Sequence, residues 1–219
     1  MNPITDPHLT PHWVTSALLT IDVQRDFLSE SPYGIPGTTE VLPQVARLAE
    51  AFRGAGRPIV HLIRLYDPSG EDADLVRRTL LSQGAKIVLP GSEGSEIAGE
   101  LLPAGAPPLK ADLLLSGEPQ TLGEREVALY KPRWGGFYRT RLDELLRGWD
   151  VDTLVVAGCN FPNCPRATLI EGSERDYRLV LADDATSRIH DAGRTEVAGI
   201  GVNVLAVQTI TDALKGETA

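Results

Sequence analysis

The segment Val155–Thr168, with the sequence VVAGCNFPNCPRAT, indicates a buried strand, a tight turn and the start of a helix. Its apolar run ends at Gly158, and Pro165 suits the first turn of a helix, where its missing N–H costs nothing. We therefore expect Cys164 at the N-cap, with its sulfur beside free N–H groups and the positive end of the helix dipole. A thiol there should have a lowered pKa and act as a nucleophile. The alternative is a small buried residue at a strand–helix junction.

Similar apolar runs recur along the chain and alternate with helical patterns. Continuous apolar runs are typical of parallel strands that are covered on both faces. The alternation predicts an α/β fold: a three-layer α/β/α sandwich around a six-stranded, mainly parallel, doubly wound sheet with strand order 3-2-1-4-5-6. The predicted strands are Ala17–Asp22, Pro58–Ile63, Val127–Lys131, Thr153–Gly158, Arg178–Ala182 and Asn203–Val207. The predicted helices are Thr38–Arg53, Asp74–Gln83, Tyr138–Arg147, Pro165–Asp176, Asp191–Ile200 and Thr209–Leu214.

The chain length of 219 residues is enough for one large α/β domain. We predict an N-terminal arm over residues 1–16 and a single domain over residues 17–219. A proline- and glycine-rich insertion over residues 102–126 lies before the third predicted strand, as a lid or a subunit contact. Within it, Leu113–Leu115 is consistent with either an extra strand or a short helix.

The composition narrows the classes of partner. A net charge of −9 argues against nucleic acid, and no apolar run approaches the length of a membrane span. The first fifteen residues lack the basic and apolar regions of a secretory signal. The two cysteines, Cys159 and Cys164, form no disulfide framework and lack a second pair that would complete a zinc site. We therefore expect a cytoplasmic protein that acts on a small molecule.

Three chemically useful side chains follow predicted strands. Asp22 ends the first strand, Lys131 ends the third, and the fourth leads through Gly158 to Cys164. In open α/β sheets, ligands bind at the carboxyl ends of the strands, where the strand order reverses. An acid, an ammonium and a thiol are thus expected at one edge of the sheet. The alternatives are that Asp22 caps a turn and that Lys131 is solvated.

These motifs together resemble the isochorismatase-like cysteine hydrolase superfamily, which includes nicotinamidases, N-carbamoylsarcosine amidohydrolases and ureidoacrylate hydrolases. The matching motifs are Ile21–Phe27 (IDVQRDF), then Lys131 with Phe137 and Thr140 after it, then Gly158 with Cys164 six residues later. The resemblance extends from about Ala17 to Leu214.

The resemblance implies a site and a reaction. It assigns Asp22, Lys131 and Cys164 as a catalytic triad, with a cis peptide between Cys159 and Asn160. The backbone N–H groups of Asn160 and Cys164 would form the oxyanion hole. The implied reaction is hydrolysis of an amide, ureide or carbamoyl C–N bond through a thioester, without a cofactor, in a homodimer or homotetramer.

The chain also departs from the usual pattern of that superfamily. The turn before the nucleophile usually contains a small residue, Thr and Asp, but here it is Asn160–Asn163. The nicotinamidase-type metal site needs an Asp and two His after the second strand; the segment His61–Pro68 lacks them, so we predict no catalytic metal. Candidate substrate-binding residues, for which surface ion pairing or core packing are the alternatives, are Arg64, Tyr66, Arg133, Trp134, Phe137 and Phe161. An arginine among them suggests a substrate carboxylate.

The sequence is also compatible with three other functions. One is vinyl-ether hydrolysis, although relatives with that activity lack the nucleophilic cysteine. Another is a non-catalytic protein that keeps the fold for partner contact. A third is a redox-reactive thiol protein that uses Cys159 and Cys164.

Overall fold

The computed structural model describes residues 6–216, in which a seven-stranded sheet forms the centre. The sheet order is β3-β4-β2-β1-β5-β6-β7, and every pair is parallel except β3–β4. The strands are β1 Ser16–Ile21, β2 Ile59–Ile63, β3 Gln120–Gly123, β4 Glu126–Tyr130, β5 Thr153–Gly158, β6 Arg178–Thr186 and β7 Asn203–Leu205. The predicted fold class and the predicted order of the six parallel strands are confirmed.

The additional strand, β3, lies inside the predicted insertion. It pairs antiparallel with β4 at the edge of the sheet. Its sequence, QTLG, is short and half polar, so it lacks the continuous apolar run that marks the buried strands. The leucine run before it forms a short helix, Ala111–Leu115, not a strand. Part of the insertion therefore completes the sheet edge.

Helices cover both faces of the sheet, which gives the predicted three layers. Their bounds are α1 Thr38–Gly54, α2 Leu75–Ser82, α3 Ala111–Leu115, α4 Leu142–Gly148, α5 Cys164–Ser173, α6 Asp191–Ala198 and α7 Val207–Gly216. One apolar core contains Phe52 of α1 and Ile210 of α7, and the other contains Leu146 of α4 and Leu169 of α5. Because side chains alternate along β1, the strand contributes to both cores.

α4 and α5 are shorter than predicted because of the backbone conformation near their ends. α4 begins at Leu142, not at Tyr138, since Arg139 has a φ of +54° and breaks the helical path before it. α5 ends at Ser173, and Asp176, where the predicted helix ends, has a φ of +59°. Left-handed residues of this kind are typical of turns.

The described part of the N-terminal arm is attached to the domain. The His12 N–H donates to the Thr153 hydroxyl at 3.0 Å, and its ring lies 2.7 Å from the Asp152 carboxylate. The predicted arm and domain also include residues 1–5 and 217–219, which lie outside the described residues. Within residues 6–216, no helix combines the length and the apolarity that crossing a membrane requires.

Candidate active site

The strand ends that carry Asp22 and Cys164 lie side by side. β1 and β5 are neighbours, with Ile21 in register with Gly158. The Cys159 N–H donates to the Ile21 carbonyl oxygen at 2.8 Å, which holds the two chain ends together beyond the sheet. Gly158 has a φ of +114°, and a Cβ there would lie 2.4 Å from the Ile21 carbonyl oxygen. Only glycine permits this close approach.

Asp22 and Lys131 form a buried ion pair at these strand ends. Lys131 Nζ lies 2.9 Å from Asp22 Oδ2, and the two residues are 0% and 4% exposed. Lys131 also donates to the Arg133 carbonyl oxygen at 3.3 Å. A buried ammonium needs such a partner, so the alternative of a solvated lysine is excluded. Asp22 Oδ1 is buried with no hydrogen-bond partner among residues 6–216, which leaves one carboxylate oxygen able to accept a proton.

Cys164 is the first residue of α5, with Asn163 at the N-cap and Pro165 after it. Burial raises the pKa of the Cys164 thiol, and the charge of Asp22 raises it further, while Lys131 and Arg64 act in the opposite sense. The expected lowering of this pKa is therefore wrong for the free site. The helix N-terminus favours a thiolate, but removal from water opposes it more strongly. Asp22 is the carboxylate beside this neutral thiol.

The turn between β5 and α5 has an unusual backbone. The peptide bond between Cys159 and Asn160 is cis. The Phe161 N–H donates to the Ser187 carbonyl oxygen at 2.9 Å, and the Asn163 N–H donates to the Asn160 carbonyl oxygen at 3.1 Å. Within residues 6–216, the N–H groups of Asn160 and Cys164 have no acceptor. Two donors next to the thiol are thus available to a ligand.

A narrow pocket opens over the thiol. Its cavity volume is about 30 Å³, which is enough for only a water molecule or two. Trp134 at its wall is 43% exposed, so the pocket is bounded on this side by a side chain at the surface. The walls are formed by Asp22, Phe27, Ile35, Arg64, Tyr66, Arg77, Trp134, Cys159, Asn160, Asn163 and Cys164.

Arg64 and Tyr66 follow β2 and form a buried cluster in this wall. Arg64 Nη2 donates to the Tyr66 hydroxyl at 3.0 Å and to the Asp74 carboxylate. Burial raises the pKa of Tyr66 to about 12, with the Arg64 charge opposing it, so the phenol stays protonated at neutral pH. Arg64 Nε and Nη1 have no partner among residues 6–216.

Three of the candidate substrate-binding residues, Arg133, Phe137 and Phe161, lie outside the wall of this pocket. Arg133 turns away and donates to the Asp72 carbonyl oxygen at 2.5 Å. Phe137 is buried in the core, with its ring centroid 5.7 Å from that of Tyr177. Phe161 is also a core residue, since its ring fills the space beside Gly193. Sequence spacing did not distinguish a pocket aromatic from a core aromatic here.

The second cysteine also lines the pocket, but its surroundings differ from those of Cys164. Burial raises the pKa of Cys159 to about 12, and hydrogen bonds with Thr38 and Ser187 oppose this shift. Both cysteines are free thiols. Among the described residues, no group of three or more His, Cys, Asp or Glu side chains is placed to hold a metal ion. His61 uses both ring nitrogens, toward Thr20 at 2.7 Å and Glu126 at 2.8 Å.

The sequence of this chain matches the Isochorismatase domain family over residues 16–110 and 108–212. The chain belongs to the isochorismatase family. A probable inactive nicotinamidase of Arabidopsis thaliana is 30% identical over 201 residues, covering 89% of this chain and 93% of the relative. The ureidoacrylate amidohydrolase of Methylobacterium radiotolerans is 30% identical over 187 residues, covering 82% and 68%. An isochorismatase family protein from Desulfovibrio vulgaris has a structure that superposes with a TM-score of 0.77 at 30% identity, covering 92% of this chain and 98% of that one.

Several residues in the pocket wall, or bonded to it, could not be predicted as site residues from the sequence. Phe27 and Ile35 come from the loop after β1, and Arg77 comes from α2. Asp74, the partner of Arg64, precedes α2. None of them follows directly on a strand end, so the rule that located Asp22, Lys131 and Cys164 did not reach them.

Proposed function

We propose that this protein is a cysteine hydrolase that cleaves a C–N bond of a small amide, ureide or carbamoyl compound. The observation that carries the proposal is the meeting of the Cys164 thiol, the Asp22–Lys131 ion pair and an unused Asp22 oxygen at one pocket. The ureidoacrylate amidohydrolase among the relatives supports the reaction class.

The first half-reaction forms a thioester. Asp22 Oδ1 accepts the thiol proton as Cys164 Sγ attacks the carbonyl carbon, and a C–S bond forms. The carbonyl oxygen becomes an oxyanion, which the N–H groups of Asn160 and Cys164 stabilise. When the intermediate collapses, the C–N bond breaks and Asp22 returns its proton to the leaving nitrogen.

The second half-reaction releases the acid. Water attacks the thioester carbon and gives a proton to Asp22, and the C–S bond then breaks. Asp22 protonates the departing sulfur, which restores the neutral thiol. Lys131 acts as a positioning residue, since its ammonium holds Asp22 Oδ2 and leaves Oδ1 without a hydrogen-bond partner among residues 6–216.

A comparison of the two cysteines tests the nucleophile. Ammonia release from a panel of small amides, ureides and carbamoyl compounds is measured for wild type, Cys164→Ala and Cys159→Ala. Both variants remove a buried thiol from the same pocket, so they are matched for packing. We expect Cys164→Ala to abolish release and Cys159→Ala to retain it. Mass spectrometry of quenched reactions should detect an acyl group on Cys164.

Other outcomes favour the alternatives. Release that survives in Cys164→Ala refutes the nucleophile, whereas vinyl-ether hydrolysis would release no ammonia from any of these compounds. Absence of release from every compound favours a non-catalytic protein. The probable inactive nicotinamidase of Arabidopsis thaliana among the relatives is consistent with this alternative. A reversible disulfide between Cys159 and Cys164 would favour a redox function.

We also propose that the protein is a cytoplasmic homodimer or homotetramer, as the family resemblance implies. Apolar side chains exposed beside the pocket support an assembly that would cover them: Leu75, Val76, Trp134 and Tyr138. Light scattering of the purified protein tests the assembly, and a monomer at micromolar concentration would contradict it.

A further inference from the structure

The side chain of Asn163 has no partner at the start of α5. An asparagine at an N-cap normally accepts a hydrogen bond from the second or third N–H group of the helix. Here the second residue is Pro165, which has no N–H, and the Arg166 N–H donates to the Phe161 carbonyl oxygen at 3.3 Å. The Asn163 carboxamide therefore caps nothing, and it makes no hydrogen bond with any other residue from 6 to 216. Asn163 instead lines the pocket next to Cys164.

A second asparagine, Asn160, lines the same pocket with an unpartnered carboxamide. Asn160 is only 7% exposed, and its side chain makes no hydrogen bond with any of the described residues. Its amide oxygen and nitrogen are nevertheless not sealed from solvent, so the area that they expose faces the pocket. The Asn163 N–H donates to the Asn160 carbonyl oxygen at 3.1 Å, which holds the two asparagines together in one turn. Buried amide groups without partners are costly, which points to a ligand that supplies them.

The pocket and its polar groups suit a water molecule. The cavity has room for only a water molecule or two, and a buried water needs about two to four polar partners. A neutral carboxamide offers both an acceptor oxygen and donor N–H groups, which matches the donors and acceptors of water. Asp22 lines the same cavity, and its Oδ1 also has no partner among residues 6–216. Because the cavity is so small, one water molecule can bond to the carboxylate and to a carboxamide at the same time.

We propose that Asn160 and Asn163 bind the water molecule that hydrolyses the thioester, and that they hold it against Asp22. One O–H of the water donates to the Asp22 carboxylate and the other to a carboxamide oxygen, so that a lone pair faces the thioester carbon. The O–C bond forms as Asp22 takes the first proton; the C–S bond then breaks, and Asp22 returns the proton to the Cys164 sulfur. This water-binding role rests on the proposed hydrolysis and concerns its second half-reaction alone.

The ester p-nitrophenyl acetate separates the two half-reactions. Transfer of its acetyl group to Cys164 releases p-nitrophenolate in a burst, and the steady phase that follows reports hydrolysis of the acetyl thioester. Asn160→Leu and Asn163→Leu keep the branched shape of the side chain but remove the amide. We expect a burst rate within about 2-fold of wild type and a steady phase about 10-fold slower. Gln83→Leu removes an exposed carboxamide outside the pocket wall and should change neither phase.

A competing nucleophile distinguishes a lost water site from a damaged active site. Added 2-mercaptoethanol also takes the acetyl group from the thioester, but its sulfur does not need the bound water. The ratio of S-acetyl mercaptoethanol to acetate should rise about 10-fold in both asparagine variants. A variant that only disturbs Cys164 or Asp22 slows both reactions and leaves the ratio at the wild-type value. Because the Asn163 side chain caps nothing, Asn163→Leu should keep the melting temperature of wild type and provides the test even if Asn160→Leu does not fold.

The outcomes separate this inference from the proposed hydrolase. Acetylation of Cys164 with a steady phase and a product ratio within about 2-fold of wild type in Asn163→Leu overturns the water site and leaves the hydrolase. A slower burst with an unchanged ratio also overturns the water site, since the asparagines then serve acylation or the fold. If wild type acquires no acetyl group on Cys164, the nucleophile itself is refuted, and the water site is refuted with it.

Discussion

Replacement of Lys131 by methionine should destabilise the protein strongly because it leaves Asp22 without its cation. Lys131 is fully buried, and its Nζ lies 2.9 Å from an Asp22 carboxylate that is 4% exposed. Breaking a buried ion pair from one side costs about 3–5 kcal/mol, whereas replacing both partners by neutral groups is often nearly neutral. Because a domain is stable by about 5–15 kcal/mol in total, the expected loss is a large fraction of it.

The assay is urea unfolding, followed by the fluorescence of the three tryptophans. We expect Lys131→Met to lower the free energy of unfolding by about 3–5 kcal/mol, and Lys131→Met/Asp22→Asn to recover most of that loss. Lys86→Met, at an exposed position, is the control and should change the stability by less than about 0.5 kcal/mol. Both Lys131 variants should be inactive, because one lacks the positioning cation and the other also lacks the base.

Two results would refute this reasoning. If Lys131→Met unfolds within about 1 kcal/mol of wild type, the ion pair does not hold Asp22 in the way that its burial implies. If the double variant is as unstable as the single one, the cost comes from lost packing of the lysine stem and not from an unpaired carboxylate.

Three further predictions follow from the same geometry. Asp22→Asn should lower the pKa of Cys164, and so speed its alkylation by iodoacetamide at pH 8, yet abolish turnover; slower alkylation would contradict the electrostatic assignment. Burial raises the pKa of Cys159 from 9.0 to about 12, so between these pH values the folded protein keeps a proton that the unfolded chain loses. The free energy of unfolding should therefore fall as the pH rises from 9 to 12, by about 1.4 kcal/mol per pH unit. Urea unfolding at pH 8 to 11 should show a shallower fall in Cys159→Ala, and an identical fall would be evidence against the shift. Gly158→Ala should destabilise the protein by about 3 kcal/mol or more, since its Cβ would meet the β1 backbone at 2.4 Å. Gly148→Ala is the control, because a Cβ there meets open space, and thermal unfolding should show it to be nearly neutral. Equal melting temperatures for these two glycine variants would contradict the close approach.

The pKa of Cys164 shows where local reasoning was insufficient. Its place at the start of α5 could be predicted from Pro165 and the strand before it, and a helix N-terminus favours a thiolate. The depth of the residue and the charge of Asp22 come from distant parts of the chain, and together they raise the pKa instead. In the proposed reaction, a neutral thiol next to a carboxylate attacks with the help of a base, whereas a preformed thiolate would need none.

The residues of the pocket wall also divide into those that local sequence could predict and those that depend on tertiary contacts. Arg64 and Tyr66 follow directly on β2, so their position at the sheet edge could be predicted, and both line the pocket. Arg77, from α2, lines the pocket, whereas the Phe137 ring lies outside it and packs against Tyr177. Neither fact is encoded in spacing.

The alternation of apolar runs and helical patterns can be read from the amino-acid sequence. It predicts the three layers, the order of the parallel strands and the strand ends that carry Asp22, Lys131 and Cys164. These follow from local periodicity and from the connectivity rules of parallel sheets, which act over short stretches of chain. Four features emerge only in the folded chain: the burial of the ion pair, the raised pKa of the thiol, the unused donors of Arg64 and the edge strand β3. These depend on removal from water and on contacts between residues far apart in the chain, which no local pattern specifies.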